Sequence, residues 1–373
     1  MKILFACGGT AGHINPALAM AGVIRQRHPE AQIKFAGNPR GMEARLVPAA
    51  GYEFLPIPVM GIQRRLTWRN IRYNIHSMGC LALSGHRSKK LLASFGPDLV
   101  VGTGGYVSGP ILRKAHQMGI RTLTHEQNAF PGVTTKLLCR YVDKVLLAVE
   151  KAKDYLPGDR EYIVTGNPVR SEILTADREA ARRILDIGDE VCILSFGGSL
   201  GAARVNEAVA DVMAWHQGRG IHHIHATGSY GVEEMPRLLA QRGVKAEENP
   251  GLDIREYIND MPNCLAAADL VIGRAGAITL SELQAVGRAS ILIPSPNVAE
   301  NHQYHNAMVL QRAGAAVVIE EKDLTGQRLV EEVQALVEDP DRLKMLGQNA
   351  AAMAIRDANE RIYREIMELL SRR

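Results

Sequence analysis

From Phe54 to Pro97 the chain contains neither aspartate nor glutamate, although acids and bases nearly balance over its 373 residues (40 against 44). Cysteine is scarce and scattered: Cys7, Cys80, Cys139, Cys192 and Cys264 are odd in number and never in CxxC spacing. That argues against a disulfide framework and a zinc site, and fits a reducing cytoplasm. Neither GxGxxG nor the Walker pattern GxxxxGK[ST] occurs. The second candidate strand of each half, in "IKFAGNPR" (33–40) and "IHHIHATGS" (221–229), also ends without the acid that holds an NAD ribose. Neither NAD nor P-loop ATP hydrolysis is expected. No apolar run approaches the ~20 residues of a spanning helix. The chain opens on a strand pattern, so no signal peptide is expected either.

What is present belongs to a globular protein with ample core: 46% hydrophobic and 23% charged residues. The length is comfortable for two domains. The acid-free stretch carries Arg64, Arg65, Arg69, Arg72, Arg87, Lys89 and Lys90, interleaved with Leu66, Trp68, Ile71, Tyr73, Ile75 and Met78. Such a mixture suits an anionic membrane surface. Nucleic acid would be served by the same charges, and a solvated helix face remains the plain alternative.

Short β-rich runs at 2–6, 32–36, 98–102, 121–125, 144–148, 161–165, 191–196, 221–226, 269–273, 290–293 and 316–319 alternate with helical patterns. This predicts an α/β chain of parallel sheets covered on both faces. "VTGNPVRSEIL" (164–174) reads as a link, and 340–370 as helical throughout. The halves echo each other: "ILFACGGTAGHINPALAMA" is answered by "CILSFGGSLGAARVNEAVA". Each is a strand, Gly-Gly-[Thr/Ser]-x-Gly, then a helix, with Thr10 or Ser199 able to cap that helix or meet a phosphate. Two Rossmann-like domains facing across a cleft are expected.

A further nucleotide site is expected at "DLVIGRAGAITLSEL" (269–283), with a helix starting near Ile278 or Thr279. Its free N–H groups would cradle a diphosphate. Glu282, one turn in, can accept two hydrogen bonds from a ribose diol, or can merely stabilise its helix. In "IHHIH", neighbouring histidines of a strand face opposite ways, so no metal site is expected at His222, His223 and His225. His302 and His305 lack an evident third ligand.

The segments "GGTAGH" (8–13), "GTGGYVSGP" (102–110), "HEQNAFPG" (125–132), "GNPVR" (166–170), "GGSLGAAR" (197–204), "RAGAITLSEL" (274–283), "NHQYHNA" (301–307) and "AGAA" (313–316) occur in that order. Together they resemble the peptidoglycan glycosyltransferase family that adds N-acetylglucosamine to lipid I, giving lipid II. The resemblance spans essentially the whole chain and implies the two-domain GT-B architecture, with a C-terminal helix crossing back to the first domain. It divides the chain into an acceptor- and membrane-facing domain, 1–165, rejoined by a helix at about 353–373, and a UDP-sugar donor domain, 166–352.

Carried over residue by residue, the resemblance implies that Ile258 offers backbone groups to uracil and that Glu282 holds the ribose. Ser199 and the turn Ala275, Gly276, Ala277, Ile278 and Thr279 would hold the diphosphate, with Arg170 in the same donor site. Asn128 and Gln303 would contact the N-acetylglucosamine, with Thr10, Ala11 and Gly12 on the opposite wall. On the acceptor side stand Gly9, His13, Gly104, Gly105, Tyr106 and Glu126. Arg64, Arg65, Trp68, Arg69 and Arg72 would meet the membrane. The chain departs from the family at Ala11, usually Gly, which the turn tolerates if φ is negative there. It departs also at Leu200 and His302, where Gln is found in relatives.

The implied reaction is a single inverting displacement by the 4-OH of N-acetylmuramic acid on the anomeric carbon of UDP-N-acetylglucosamine. Helix N-termini and Arg170 would stabilise the UDP leaving group, with no metal or cofactor expected. His13, at a helix N-terminus whose dipole favours the neutral ring, is the first choice as base, with His125 and Glu126 as alternatives. The implied partners are the UDP-sugar, the polyprenyl-linked acceptor, an anionic membrane at the cytoplasmic face, and other wall-synthesis and division proteins; nucleic acid is not expected. The rival readings are a transferase for another glycolipid, or a non-catalytic sugar-nucleotide scaffold.

Overall fold

The structure, a computed structural model, describes residues 1–59 and 83–372. The chain forms two compact units: residues 1–168 with 357–373, and residues 169–356. The boundary between the first and second passes through Pro168–Val169.

In the first unit, β1 (Lys2–Ala6), α1 (Ala11–Arg27), β2 (Gln32–Gly37), α2 (Glu43–Ala49) and β3 (Glu53–Pro56) are followed by helical residues 83–95 (α3). Then come β4 (Leu99–Gly102), α4 (Ser108–Gln117), β5 (Arg121–Glu126), α5 (Val133–Leu138), β6 (Lys144–Leu147) and β7 (Ile163–Val164). The parallel sheet runs β3-β2-β1-β4-β5-β6-β7. β1 shows why both faces must be covered. Ile3 and Phe5 pack among Ile14, Ala17 and Ile24 of α1. Leu4 and Ala6 point the other way, among Ile111, Leu112 and Ala115 of α4. Phe5 is fully buried and stacks on Phe35 at 5.1 Å; truncating it to alanine would cost roughly 3–5 kcal/mol.

The second unit contains α6 (Ser171–Thr175), α7 (Arg178–Ile184), β8 (Val191–Phe196), α8 (Ala203–Trp215), β9 (Ile221–Ala226), α9 (Glu234–Gln241), β10 (Leu252–Arg255) and α10 (Met261–Ala267). It continues with β11 (Leu270–Gly273), α11 (Ala277–Val286), β12 (Ala289–Leu292), α12 (His302–Arg312), β13 (Val317–Val318), α13 (Gly326–Val337) and α14 (Pro340–Ala352). The sheet order is β10-β9-β8-β11-β12-β13, again parallel. Ser195 Oγ lies 2.7 Å from both His223 Nε2 and His225 Nδ1, and His223 Nδ1 is 3.0 Å from His216 Nε2. These four side chains form a buried polar file on one face of the sheet.

In each sheet the strand order reverses once, between β1 and β4 and between β8 and β11. Loops leaving the carboxyl ends on either side of such a reversal diverge and leave a crevice, which is where doubly wound folds bind ligands.

Residues 340–370 are not continuously helical. α14 ends at Ala352, residues 353–357 are non-helical, and α15 (Ala358–Ser371) follows. α15 lays Ile362, Ile366 and Leu369 into the core of α1. Its rim pairs Arg27 with Glu360 at 2.7 Å and His28 with Tyr363 at 2.9 Å. Lys144, buried on β6, is neutralised by Glu365 and Glu368 of this helix. Two strands absent from the sequence expectation, β3 and β10, lie at the sheet edges.

Candidate active site

In the first unit the two turns at the strand reversal are pressed together. Gly104 (φ +106°) and Gly105 (φ +77°) both adopt left-handed backbone. A Cβ on Gly104 would stand 2.6 Å from His13 Nδ1, and one on Gly105 2.2 Å from Gly8 O. Thr103 Oγ1 donates to His13 O at 2.7 Å. Ser108 Oγ lies 2.7 Å from both Ala6 O and Gly104 O and shares its proton between them. The Tyr106 ring lies against Gly9. Gly9, His13, Gly104, Gly105 and Tyr106 therefore meet at one place, over the carboxyl ends of β1 and β4. Thr10, Ala11 and Gly12 form the entry to α1. Ala11 is its first helical residue, so its φ is negative and the missing glycine costs the turn nothing.

The 125–135 loop supports this cluster. Glu126 is buried, and both its oxygens are engaged: Oε1 accepts from Asn128 N and Nδ2, each at 3.0 Å, and Oε2 from Gly132 N at 3.0 Å and from Thr135 Oγ1. The carboxylate is spent on shaping the loop that carries Asn128. His125 is fully buried, its Nε2 donating to Gly166 O at 2.9 Å. Burial pushes its pKa down to about 4, against a smaller opposing pull from the Gly166 carbonyl. A ring so enclosed cannot reach a substrate proton.

In the second unit, residues 197–202 and 274–276 flank the β8/β11 reversal. Ser199 is exposed at the tip of its turn, with its carbonyl taking Ser229 N at 3.4 Å. Leu200 beside it is exposed too. Ala275 is buried, Gly276 is the N-cap of α11, and Ala277, Ile278 and Thr279 make the first helical turn. α11 thus starts slightly earlier than the sequence suggested. Glu282, on its second turn, is 8% exposed and accepts from Arg170 Nε at 3.2 Å and a terminal nitrogen at 3.1 Å, both on Oε1. Burial pushes the Glu282 carboxyl above the usual range, opposed by the Arg170 guanidinium. Ile258 is buried just past β10. Gln303, in the first turn of α12, accepts Ser295 N on Oε1 at 2.9 Å. The preceding Glu300 and Asn301 both take positive φ, 55° and 50°, which holds non-glycine residues in a sparsely populated region. His302 Nδ1 bonds Ala299 O at 2.7 Å within the same turn.

Neither hydroxyl of the echoed motifs caps its helix: Thr10 makes no side-chain cap bond, and α8 is capped from Ala202 rather than Ser199. For Ser199 the reason is geometric, since α8 starts only after the chain has run on to Ala202; Thr10 is itself the N-cap residue of α1 and its hydroxyl makes no cap bond there. Arg64, Arg65, Trp68, Arg69 and Arg72 lie outside the described residues. Sequence reasoning missed Glu43 and Gln127. Glu43, fully buried, accepts Gly9 N at 3.2 Å and Asn38 N at 2.9 Å, tying the first turn to the end of β2. Gln127 sits between His125 and His13. Each joins a near neighbour to a partner distant in sequence, Glu43 to Gly9 and Gln127 to His13, and no local pattern announces the distant partner.

Residues 3–147 match the glycosyltransferase family 28 N-terminal domain and residues 192–362 the glycosyltransferase family 28 C-terminal domain. The chain is 44% identical, over 99% of its length and 98% of the relative's, to the UDP-N-acetylglucosamine–N-acetylmuramyl-(pentapeptide) pyrophosphoryl-undecaprenol N-acetylglucosamine transferase of Acetivibrio thermocellus. It is 41% identical to the transferase of the same name from Desulfitobacterium hafniense, covering 99% of each. Among solved structures, MurG of Acinetobacter baumannii matches with a TM-score of 0.79 at 28% identity, covering 98% of this chain and 99% of that one. With two family 28 domains and full-length likeness to these enzymes, the chain belongs to the family of lipid-directed N-acetylglucosamine transferases within glycosyltransferase family 28.

Proposed function

We propose that this chain moves N-acetylglucosamine from UDP-N-acetylglucosamine to the 4-hydroxyl of N-acetylmuramic acid on pyrophosphoryl-undecaprenol (lipid I), forming lipid II and UDP. The observation that carries the reading is the full-length likeness to transferases of that name, in a chain with a glycine-rich turn at the reversal of each sheet. The unit 169–356 holds the donor. Glu282 Oε1 is occupied by Arg170, and Oε2 accepts from the ribose hydroxyls. The N-terminus of α11 and the turn at Ser199 receive the diphosphate, where backbone N–H groups and the helix dipole stabilise the departing UDP. Ile258 presents backbone groups to uracil, and Gln303 contacts the sugar.

The other unit holds the acceptor. Gly9, Gly104, Gly105 and Tyr106 cradle its diphosphate. Thr10, Ala11, Gly12 and Asn128 contact the transferred sugar, and Glu126 acts by shaping the Asn128 loop. His13 takes the proton of the attacking hydroxyl as the bond to the anomeric carbon forms and the bond to UDP breaks. General-base assistance of this kind contributes about 10²–10⁴-fold.

The acceptor's polyprenyl chain calls for a docking face at the cytoplasmic side of the membrane. The acid-free stretch with Arg64, Arg65, Trp68, Arg69 and Arg72 supplies basic charge. Val133, Leu137 and Tyr141, four residues apart, are exposed beside Lys136 and Arg140, and Arg113 lies over the Tyr141 ring at 5.5 Å. Apolar side chains ringed by cations fit an anionic headgroup layer. The test of the reaction is UDP release from UDP-N-acetylglucosamine with a water-soluble lipid I analogue, run beside a diacylglycerol. Turnover of the diacylglycerol alone would refute the assignment of the acceptor.

A further inference from the structure

Gln127 is 2% exposed and is held at both ends of its amide. Nε2 lies 2.9 Å from the backbone carbonyl of His125 and 3.0 Å from His125 Nδ1; Oε1 lies 3.1 Å from His13 Nδ1. A carbonyl oxygen can only accept, so the amide end facing it must be the NH₂ group. That fixes the oxygen on the His13 side. An amide oxygen also only accepts, so the hydrogen bond to His13 exists only if His13 Nδ1 carries a proton. A neutral imidazole with a proton on Nδ1 has its lone pair on Nε2.

The far end of the file agrees independently. His125 Nε2 faces Gly166 O at 2.9 Å, which requires the His125 proton on Nε2 and leaves Nδ1 bare to accept from Gln127. Every bond then points the same way: His13 Nδ1–H to Gln127, Gln127 to His125, His125 to Gly166. Burial pushes the His125 pKa down to about 4, so near neutral pH the ring is uncharged and its Nδ1 stays an acceptor for Gln127. The backbone ties it down as well, since Asn167 Nδ2 donates to Gln127 O at 3.1 Å.

We infer that Gln127 is a positioning residue: it selects the Nδ1–H tautomer of His13, so that Nε2 is the atom presented to the attacking hydroxyl. This rests on the reading of His13 as base, and it identifies which nitrogen performs that step. The proton of the hydroxyl goes to Nε2, and the resulting imidazolium keeps its Nδ1–H bond to the Gln127 oxygen. A carboxylate in the same place would also accept from Nδ1, but its second oxygen would meet the His125 carbonyl with no proton between them. A hydrocarbon would release the ring, and a neutral histidine left to water prefers its proton on Nε2, the unproductive form. Wrong-tautomer penalties in other enzymes that use an oriented histidine are large.

The test begins with the resting full-length enzyme, ¹⁵N-labelled at histidine, whose long-range ¹⁵N–¹³C–¹H correlations distinguish the two tautomers. His13 should appear as Nδ1–H in the wild type and as a mixture or Nε2–H in Gln127→Leu. In that variant kcat should fall at least tenfold with the KM for UDP-N-acetylglucosamine unchanged. Gln127→Glu should restore the tautomer and most of the rate when its carboxyl is protonated, since the O–H then donates to the His125 carbonyl while the other oxygen still faces Nδ1. A wild-type His13 protonated on Nε2 would overturn the assignment of Gln127 even if Gln127→Leu does not fold, and would leave the base role to be judged on His13→Ala. An Nδ1–H ring combined with less than tenfold loss in His13→Ala would instead overturn the base, and with it any catalytic purpose for the file.

Discussion

Both hydrogen bonds from Arg170 to Glu282 end on the same carboxylate oxygen, at 3.1 and 3.2 Å. The pair thus neutralises a buried charge while leaving its second oxygen for a ligand. Glu282→Ala should weaken UDP-N-acetylglucosamine binding by roughly 2–3 kcal/mol, the scale of lost bonds to a charged group. Isothermal calorimetry on the folded variant reads this directly. Unchanged affinity would remove Glu282 from the ribose.

The same carboxyl should give donor binding a pH dependence. Burial raises its pKa above the usual value of 4.5, and only the ionised form offers a full acceptor to the ribose. Affinity should be complete at neutral pH and decline as pH falls toward that raised pKa, starting earlier than for an ordinary glutamate. Titrations downward from pH 8 should show the decline in the wild type and a flat line in Glu282→Gln.

His13→Ala should lower the single-turnover rate by about 10²–10⁴-fold while the donor dissociation constant stays put. The two measurements separate because His13 and Glu282 belong to different units. A loss below about tenfold demotes His13 to a contact residue.

The unit 169–356 should be acid-labile. Burial depresses His216 and His225 to about 4, and His223 well below the usual 6.5. The unfolded chain binds protons below about 6.5 that the native state refuses. Stability contributed by these rings is therefore whole above that pH and is lost between roughly 6.5 and 4. His225→Asn keeps an atom for Ser195 and removes one titrating group, so melting temperatures across this window should fall less steeply than in the wild type. Equal slopes would show that carboxylates elsewhere govern the acid transition.

Reversing Arg64, Arg65, Arg69 and Arg72 to glutamate should abolish cosedimentation with anionic vesicles, each cation being worth up to about 1 kcal/mol near such a surface. Turnover of a water-soluble acceptor should persist. Retention on the vesicles at physiological salt would move the docking face elsewhere.

β1, whose run Ile3-Leu4-Phe5-Ala6 is apolar and buried, could be read directly, whereas β5 and β9, with Thr and His among their apolar residues, were legible from the regular alternation of strand and helix patterns. β3 and β10 escaped because edge strands need not look like either. β3 ends at Pro56, which an edge tolerates, and β10 alternates Asp253 and Arg255 with Leu252 and Ile254 at half-burial. The glycine turns were legible since tight backbone approach leaves few residue choices. Glu43 and Gln127 were not, because their work is done across 34 and 114 positions of sequence. The break at 353–357 has no proline or glycine to announce it.

The helix that completes the first unit has a consequence for biosynthesis. Ile362, Ile366 and Leu369 are emptied into a core begun by Ile3, Phe5 and Ile14, yet they leave the ribosome after every residue of 169–356. The later-made unit can therefore finish folding while the earlier one still waits with an uncovered apolar face. A nascent chain stalled near residue 350 would be vulnerable at its oldest part, and that is where a ribosome-associated chaperone would find most to hold.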